Sequence, residues 1–372
     1  MKMLFFVNES LSEFNGISKK IIAQIKALEQ IGVEVDTCYL KGRDLNFTGR
    51  YINEMLVEKF SDNPFINKFQ WRCNYQKAYE YVVDHGIDTV YIRYIHFGNL
   101  FFNLFLKKLK KREIKILLEF PTYPYDNEYR NISFTSRLVL KAEKLSRNKF
   151  KKYVDRIITL SDDDEIFGIP TIQISNGIDP DVISPIRKTK AEGNIHLIGV
   201  ASIGFWHGYD RVIEGLYNYY KVGQDKKVFF HIVGNNNNPE SARYHNLVKK
   251  YRLEDYVFFY GKKSGRELDE LFNLADMAVG SLGCHRISLT DARPLKNREY
   301  CARGIPFFYS SSDKEFEGKN FIFKIPATDE PVIIQSVVNF IENCKVSSVD
   351  IRNYAVENLT WEKQFERILK RF

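Results

Sequence analysis

The chain has 372 residues, 44% hydrophobic and 27% charged, with 55 Lys and Arg against 47 Asp and Glu and a formal net charge of +8. This length exceeds one ordinary core and suits two domains, and the composition is that of a soluble globular protein, which excludes disordered and fibrous classes. No apolar run reaches the roughly eighteen residues of a spanning helix, and MKMLFFVN at the N-terminus turns polar too soon for a signal peptide. Cys38, Cys73, Cys284, Cys301 and Cys344 lack any paired short spacing, which argues against a zinc site or disulfide framework and for a reducing compartment. The positive charge suits nucleic acid, a membrane surface or phosphorylated substrates. Zinc-finger spacing, an aromatic RNA-recognition signature and a distinct recognition helix are all missing, so nucleic acid is not expected.

In chain order, strands are predicted at Met1–Asn8, Val33–Leu40, Asp88–Tyr94, Ile114–Phe120, Arg156–Leu160 and Thr171–Ser175. Segments with helical apolar spacing separate them. The first, from about Gly16 to Ile31, puts Ile17, Ile21, Ile25 and Leu28 on one stripe and ends at Gly32. A second series follows at Ile195–Ser202, Val228–Gly234, Val257–Gly261, Met277–Gly283, Ile305–Ser310 and Phe321–Pro326, and helices close the chain from about Glu330. Strand alternating with helix implies parallel sheets covered on both faces. The fold class is therefore α/β, with two Rossmann-like doubly wound domains facing across a cleft. The polar, proline-bearing stretch Asp179–Gly193 reads as their linker, Asn235–Asn238 as a loop, and Asn131-Ile132-Ser133 as a chance glycosylation match. Ligands in such sheets bind at the C-terminal strand ends, where strand order reverses.

The segment SLGCHRISLTDARPLKNREYCARGIPFFYS, Ser281 to Ser310, reads as strand, loop, acidic residue, helix, strand. Pro294 is placed in the first helical turn, where its missing N–H is tolerated. Free N–H groups and the positive end of the dipole make that helix start a seat for a phosphate, with Arg293 and Lys296 beside it. The spacing of Asp291 and Glu299, followed by Gly-Ile-Pro, resembles the retaining glycosyltransferases of the GT-B fold, family 4 (group 1) type, in which the first acidic residue is usually Glu. The resemblance extends over nearly the whole chain. Asn176-Gly177-Ile178-Asp179 is similar to the family's turn at the exit of the N-terminal domain, and Leu359-Thr360-Trp361-Glu362 to its terminal helix, which returns to that domain. This implies an acceptor-binding domain at 1–180 joined by 357–372, and a nucleotide-sugar-binding domain at 181–356. Ser202 and His207 stand where the family has the Arg and Lys that hold the donor diphosphate. Arg211, Arg293 and Lys296 are the cations available to replace them, joined by His207 if it is protonated, and Lys296 with Arg293 is the favoured pair.

On the donor side the resemblance implies Gly16, Gly234, Gly261, Lys262 and Leu295 as well, with Glu299 on the ribose and Asp291 on the sugar hydroxyls. Arg93, Tyr123 and Tyr125 are the acceptor candidates, and His96 and Glu119 join Asp291 as catalytic candidates. The implied reaction is front-face glycosyl transfer without a cofactor or a divalent metal, since no Asp-x-Asp signature stands in the appropriate place. The expected partners are a nucleotide-sugar and a carbohydrate acceptor, free or lipid-linked, in surface polysaccharide biosynthesis, in the cytoplasm or on the inner face of the membrane. Lys107, Lys108, Lys110, Lys111, Arg112 and Lys115, then Arg137, Lys141, Lys144, Lys149, Lys151 and Lys152, form basic stretches suited to anionic lipid. Two rivals share the fold: a nucleotide-sugar epimerase, and a non-catalytic scaffold that partners an active transferase.

Overall fold

A computed structural model of the chain describes residues 1–11, 16–43, 46–125, 134–187, 193–224 and 226–372. Side chains of 16, 43 and 134–139 fall outside the description, as does the whole of the Asn131-Ile132-Ser133 match. Two compact units result: Met1–Ser175 with Trp361–Phe372, and Asn176–Thr360.

Unit 1 runs β1 (Lys2–Ser10), α1 (Gly16–Gln30), β2 (Glu34–Arg43), β3 (Asn46–Ile52), β4 (Met55–Lys59), α2 (Pro64–Cys73), α3 (Gln76–Asp84), β5 (Thr89–Arg93), α4 (Leu100–Lys110), β6 (Lys115–Phe120), α5 (Phe134–Arg147), β7 (Arg156–Thr159), β8 (Glu165–Ile166) and β9 (Ile169–Gln173). Its sheet order among the described residues is β4-β3-β2-β1-β5-β6-β7-β9-β8, parallel in the middle with the antiparallel β3 and β4 at one edge. The apolar run of β1 follows from burial on both faces. Met3, Phe5 and Val7 pack with Ile21 and Leu28 of α1, while Leu4 and Phe6 pack with Phe102, Phe105 and Leu106 of α4. Ile21 and Leu28 are buried as the periodicity predicts, but Ile17 is exposed, because the stripe reaches the core only from the second turn.

Unit 2 runs β10 (Ile195–Ala201), α6 (Asp210–Lys221), β11 (Val228–Gly234), α7 (Pro239–Tyr251), β12 (Val257–Phe259), α8 (Gly265–Leu274), β13 (Met277–Val279), α9 (Leu295–Arg303), β14 (Phe307–Tyr309), β15 (Ile322–Lys324), α10 (Ile334–Asn343) and α11 (Ser348–Asn358). Its parallel sheet has the order β12-β11-β10-β13-β14-β15. Leu197 of β10 faces one apolar layer and Ile198 the other. The last helix, α12 (Trp361–Lys370), returns to unit 1. There Trp361, Phe365 and Ile368 are buried beside α1, and the Gln364 amide oxygen accepts the Ser175 N–H at 2.9 Å.

The described part of the stretch read as a linker, residues 179–187, is packed onto unit 2. Ile186 N–H donates to Arg303 O, Arg187 N–H to Asn273 Oδ1, and Arg352 donates to the carbonyls of Pro180 and Ile183. Backbone groups of this polar stretch are thus satisfied by unit 2, and the chain passes between units earlier, at Ser175–Asn176.

Candidate functional site

Strand order in unit 2 reverses between β10 and β13, so the loops leaving these strands border the crevice expected of an open parallel sheet. They are joined to each other: Leu282 N–H donates to His207 O and Gly283 N–H to Trp206 O. The approach requires Gly208, whose φ is +64° and where a Cβ would lie 2.8 Å from Gly283 N. Arg286 locks the junction with a two-pronged contact to Asp210, at 3.0 and 2.9 Å, and a third bond to Phe205 O.

The start of α9 stands beside these loops. Pro294 is its N-cap in extended conformation and Leu295 its first residue, one position later than the sequence suggests. Its first turn is fixed from beneath by Arg298, which is completely buried and bonds both carboxylate oxygens of the equally buried Asp313, one of them at 2.7 Å. Asn176 of the Asn-Gly-Ile-Asp turn donates its amide to Arg293 O at 2.8 Å, which ties the turn to this loop.

Lys296 is the distinctive group. Its Nζ is buried with no hydrogen-bond partner, 5.7 Å from the centre of the Tyr209 ring. Burial depresses its pKa to about 7, against a small opposing effect of the Cys284 thiol. Next to it in sequence, Asn297 is buried with neither amide atom partnered. Buried polar atoms normally find partners, so a cation and an amide left open at a helix start indicate a place shaped for a polar ligand.

The other predicted cations are placed differently. His207 is buried, its Nδ1 accepts the Gly204 N–H at 3.0 Å, and desolvation with the Lys296 charge pushes its pKa down to about 3. Such a group is a neutral imidazole at pH 7, so the condition on which His207 would join the cations is not met. Arg211 is buried and donates to the carbonyls of Glu330, Leu282 and Pro326 at 2.7, 2.6 and 3.1 Å, so it is a brace of the fold and not an open cation. The Arg293 side chain is nearly buried, 3.5 Å from the carboxylate of Asp291. Ser202 and Lys262 are exposed, and so is Leu295. Glu299 is partly exposed and takes Arg303 at 2.9 Å, with Arg303 also bonded to Asp269 at 2.6 Å. Gly234 and Gly261 are brought together, the N–H of the first donating to the carbonyl of the second at 2.9 Å, and a Cβ on Gly234 would lie 1.9 Å from Ala201 O.

In unit 1 strand order reverses between β1 and β5, and the strand ends there gather charge. Glu119 is buried and accepts from Arg93 at 2.9 Å, Tyr91 at 3.0 Å and Gln24 at 3.2 Å. Arg93, the acceptor candidate, is itself buried and lies 3.5 Å from Glu9. Burial raises the Glu9 carboxyl above its ordinary range and lowers Lys20 to about 8. Glu9 and Lys20 were not foreseen, since nothing in their spacing marks them. Half-buried His96 stacks on Tyr125 with ring centres 3.8 Å apart. Tyr125 is buried and its hydroxyl donates to Glu143 at 2.8 Å, so it backs His96 instead of offering an open platform; Tyr123 is partly exposed. Gly16 opens α1, and residues 12–15 before it lie outside the described residues.

Residues 184–314 match the family model described as Glycosyl transferases group 1. These residues, about a third of the chain, are similar to the group 1 glycosyltransferases. The matched stretch contains both loops of the unit 2 switch point and the whole of α9. No curated protein sequence matches the chain. Among solved structures it is similar to a glycosyltransferase from Rickettsia africae (14% identity, TM-score 0.66, covering 100% of this chain and 97% of that one). It is also similar to sucrose-phosphate synthase from Thermosynechococcus elongatus (15%, 0.63, 100% and 99%) and to Anabaena HepE in complex with UDP (13%, 0.58, 100% of both). The transferase thus has the GT-B fold, two Rossmann-like units in one chain.

Proposed function

We propose that this transferase moves a sugar, with retention of anomeric configuration, from a nucleotide-sugar to a carbohydrate acceptor in surface polysaccharide biosynthesis. The observation that carries the reading is the partnerless Nζ of Lys296, buried at the start of α9 on the switch point of unit 2. A diphosphate supplies what this atom lacks, and the Anabaena structure that shares the fold holds UDP. The donor's bond from anomeric carbon to phosphate oxygen breaks with its electron pair leaving on the diphosphate. The acceptor oxygen bonds to the same face, and its proton passes to the departing phosphate oxygen. The protein's work is to position the partners and stabilise the leaving charge, through Lys296 and the amides of the α9 first turn. Asp291 holds sugar hydroxyls and Glu299 the ribose. His96 and Glu119 belong to the acceptor side, with Glu119 fixing Arg93 from within. Chain cations take the place of a divalent metal, so chelator leaves turnover unchanged.

The acceptor is lipid-linked in this reading and the protein works at the inner face of the membrane. Among the described residues no helix is long and apolar enough to cross one. Incubation with responsive donor and acceptor, followed by proton NMR of the anomeric signal, is expected to give a product with the donor's configuration. An inverted product contradicts the mechanism. The scaffold reading draws on Ser202 and neutral His207, which leave the usual cation pair unfilled. It predicts diphosphate binding without turnover of any bound donor, and an epimerase would turn over donor without acceptor.

A further inference from the structure

Two amphipathic helices of unit 1 turn apolar side chains outward. On α2, Phe65, Ile66 and Phe69 are exposed, Phe65 to 86%; on α4, Leu100, Phe101 and Leu104 are exposed, Leu100 to 61%. Phe69 and Phe101 meet edge to face with ring centres 5.6 Å apart, so the two helices present one apolar surface. Their opposite faces are in place in the core, through Trp71 on α2 and through Phe102, Phe105, Leu106 and Leu109 on α4. The outward residues are therefore surplus to folding. Large aromatics gathered in water at this density mark an interaction site.

The charge around the surface selects the partner. Neither α2 nor α4 contains an acidic residue. Exposed Lys68 lies within the α2 patch, and the outward stripe of α4 continues from Leu104 into exposed Lys107, Lys108 and Lys111. Phe101, Leu104 and these three lysines also line a groove of about 370 Å³ with Tyr79 and Phe105 in its wall. Apolar side chains flanked by cations on one side, with no acidic residue on either helix, match the layering of an anionic bilayer, with phosphate outside and hydrocarbon beneath.

We propose that α2 and the exposed face of α4 are the surface by which this protein docks on anionic phospholipid, the aromatics entering the headgroup boundary and Lys107, Lys108 and Lys111 holding lipid phosphates. This deepens the peripheral-membrane part of the proposed function and rests on that part alone, not on the donor or the stereochemistry. It also moves the contact away from the basic stretch of α5 and the residues after it.

Co-sedimentation of the full chain with phosphatidylcholine vesicles, with and without phosphatidylglycerol, tests it. The parent is expected to bind the anionic vesicles only, less as salt rises. The double variant Phe69→Ser/Phe101→Ser is expected to lose about tenfold or more in partitioning, and Lys107→Glu/Lys108→Glu/Lys111→Glu to lose binding, while Lys141→Glu/Lys144→Glu on α5 binds like the parent. Circular dichroism and a cooperative thermal transition like the parent's confirm that the variants are folded. If the parent binds but the Phe variant binds equally, the membrane reading stands and this surface is wrong. Failure of the parent to bind anionic vesicles at low salt overturns both. If sedimentation velocity shows a dimer that the Phe variant abolishes, the face is an interface between copies and the lipid proposal falls.

Discussion

Lys296 is a lysine kept near neutrality by burial, and that has consequences for both stability and binding. In the unfolded chain a lysine holds its proton to about pH 10; in the fold this one releases it near 7. Between those values the unfolded chain binds more protons, so the unliganded fold gains stability as pH rises from 7 towards 10 and carries the full penalty of a buried charge below 7. Lys296→Met is therefore expected to melt higher than the parent at pH 7, with the gap closing towards pH 10 in thermal scans. A bound diphosphate reverses the preference by favouring the ammonium form. Diphosphate binding above pH 7 should then take up a proton, visible by calorimetry in buffers of different ionisation enthalpy, and affinity should fall by about tenfold per pH unit. A pH-independent affinity from 7 to 9 would remove Lys296 from the phosphate. The sequence marked this residue through its place at a helix start, but burial and the missing partner are tertiary facts. The same holds for His207, whose neutrality comes from neighbours remote in sequence.

Among elements, α9 carries the site and is the one whose placement matters most. Its existence and its Asp291–Glu299 frame were legible, because Pro294, the following helical run and the Gly304 end are local signals. What holds it was not. Nothing in the sequence marks Arg298, which is buried against Asp313. Asp313→Ala leaves that guanidinium uncompensated in the interior and is expected to lower stability by about 3–5 kcal/mol in urea titrations, since removing one partner of a buried pair costs far more than the pair contributes. A loss below about 1 kcal/mol would mean that water reaches Arg298 and the brace is weak. The strand pair β3 and β4 went unread: β3 buries Phe47, Arg50 and Ile52 while Met55 and Leu56 of β4 are exposed, so no single apolar period marks the pair, and an antiparallel edge breaks the strand–helix alternation on which the other elements were recognised. Strand ends were overextended for a related reason. Met277–Gly283 looks like one apolar run, but the sheet stops at Val279 and the remainder leaves it to form the switch-point loop.

At the scale of the whole molecule, two alternating series of strand and helix announce two Rossmann-like units, and the Trp361 segment announces the return of the chain to the first. The point of passage was misplaced because a proline-rich polar stretch has the composition of a linker whether or not it is pinned, and here Arg303 and Arg352 pin it. The acceptor side is the least legible part. Arg93 and Glu119 form a buried ion pair, and Glu9, which shares it, has no sequence signature. The donor side carries the function, because there the family match, the switch point and the open Lys296 coincide. Its most direct test is calorimetric titration of a nucleoside diphosphate and the matching nucleoside into the parent and Lys296→Ala. Lys296→Ala is expected to lose on the order of 2–5 kcal/mol of diphosphate affinity and little nucleoside affinity. Parent-like diphosphate binding by Lys296→Ala, with loss in His207→Ala or Arg211→Ala instead, would contradict it and place the phosphate clamp on the Trp206–Arg211 loop.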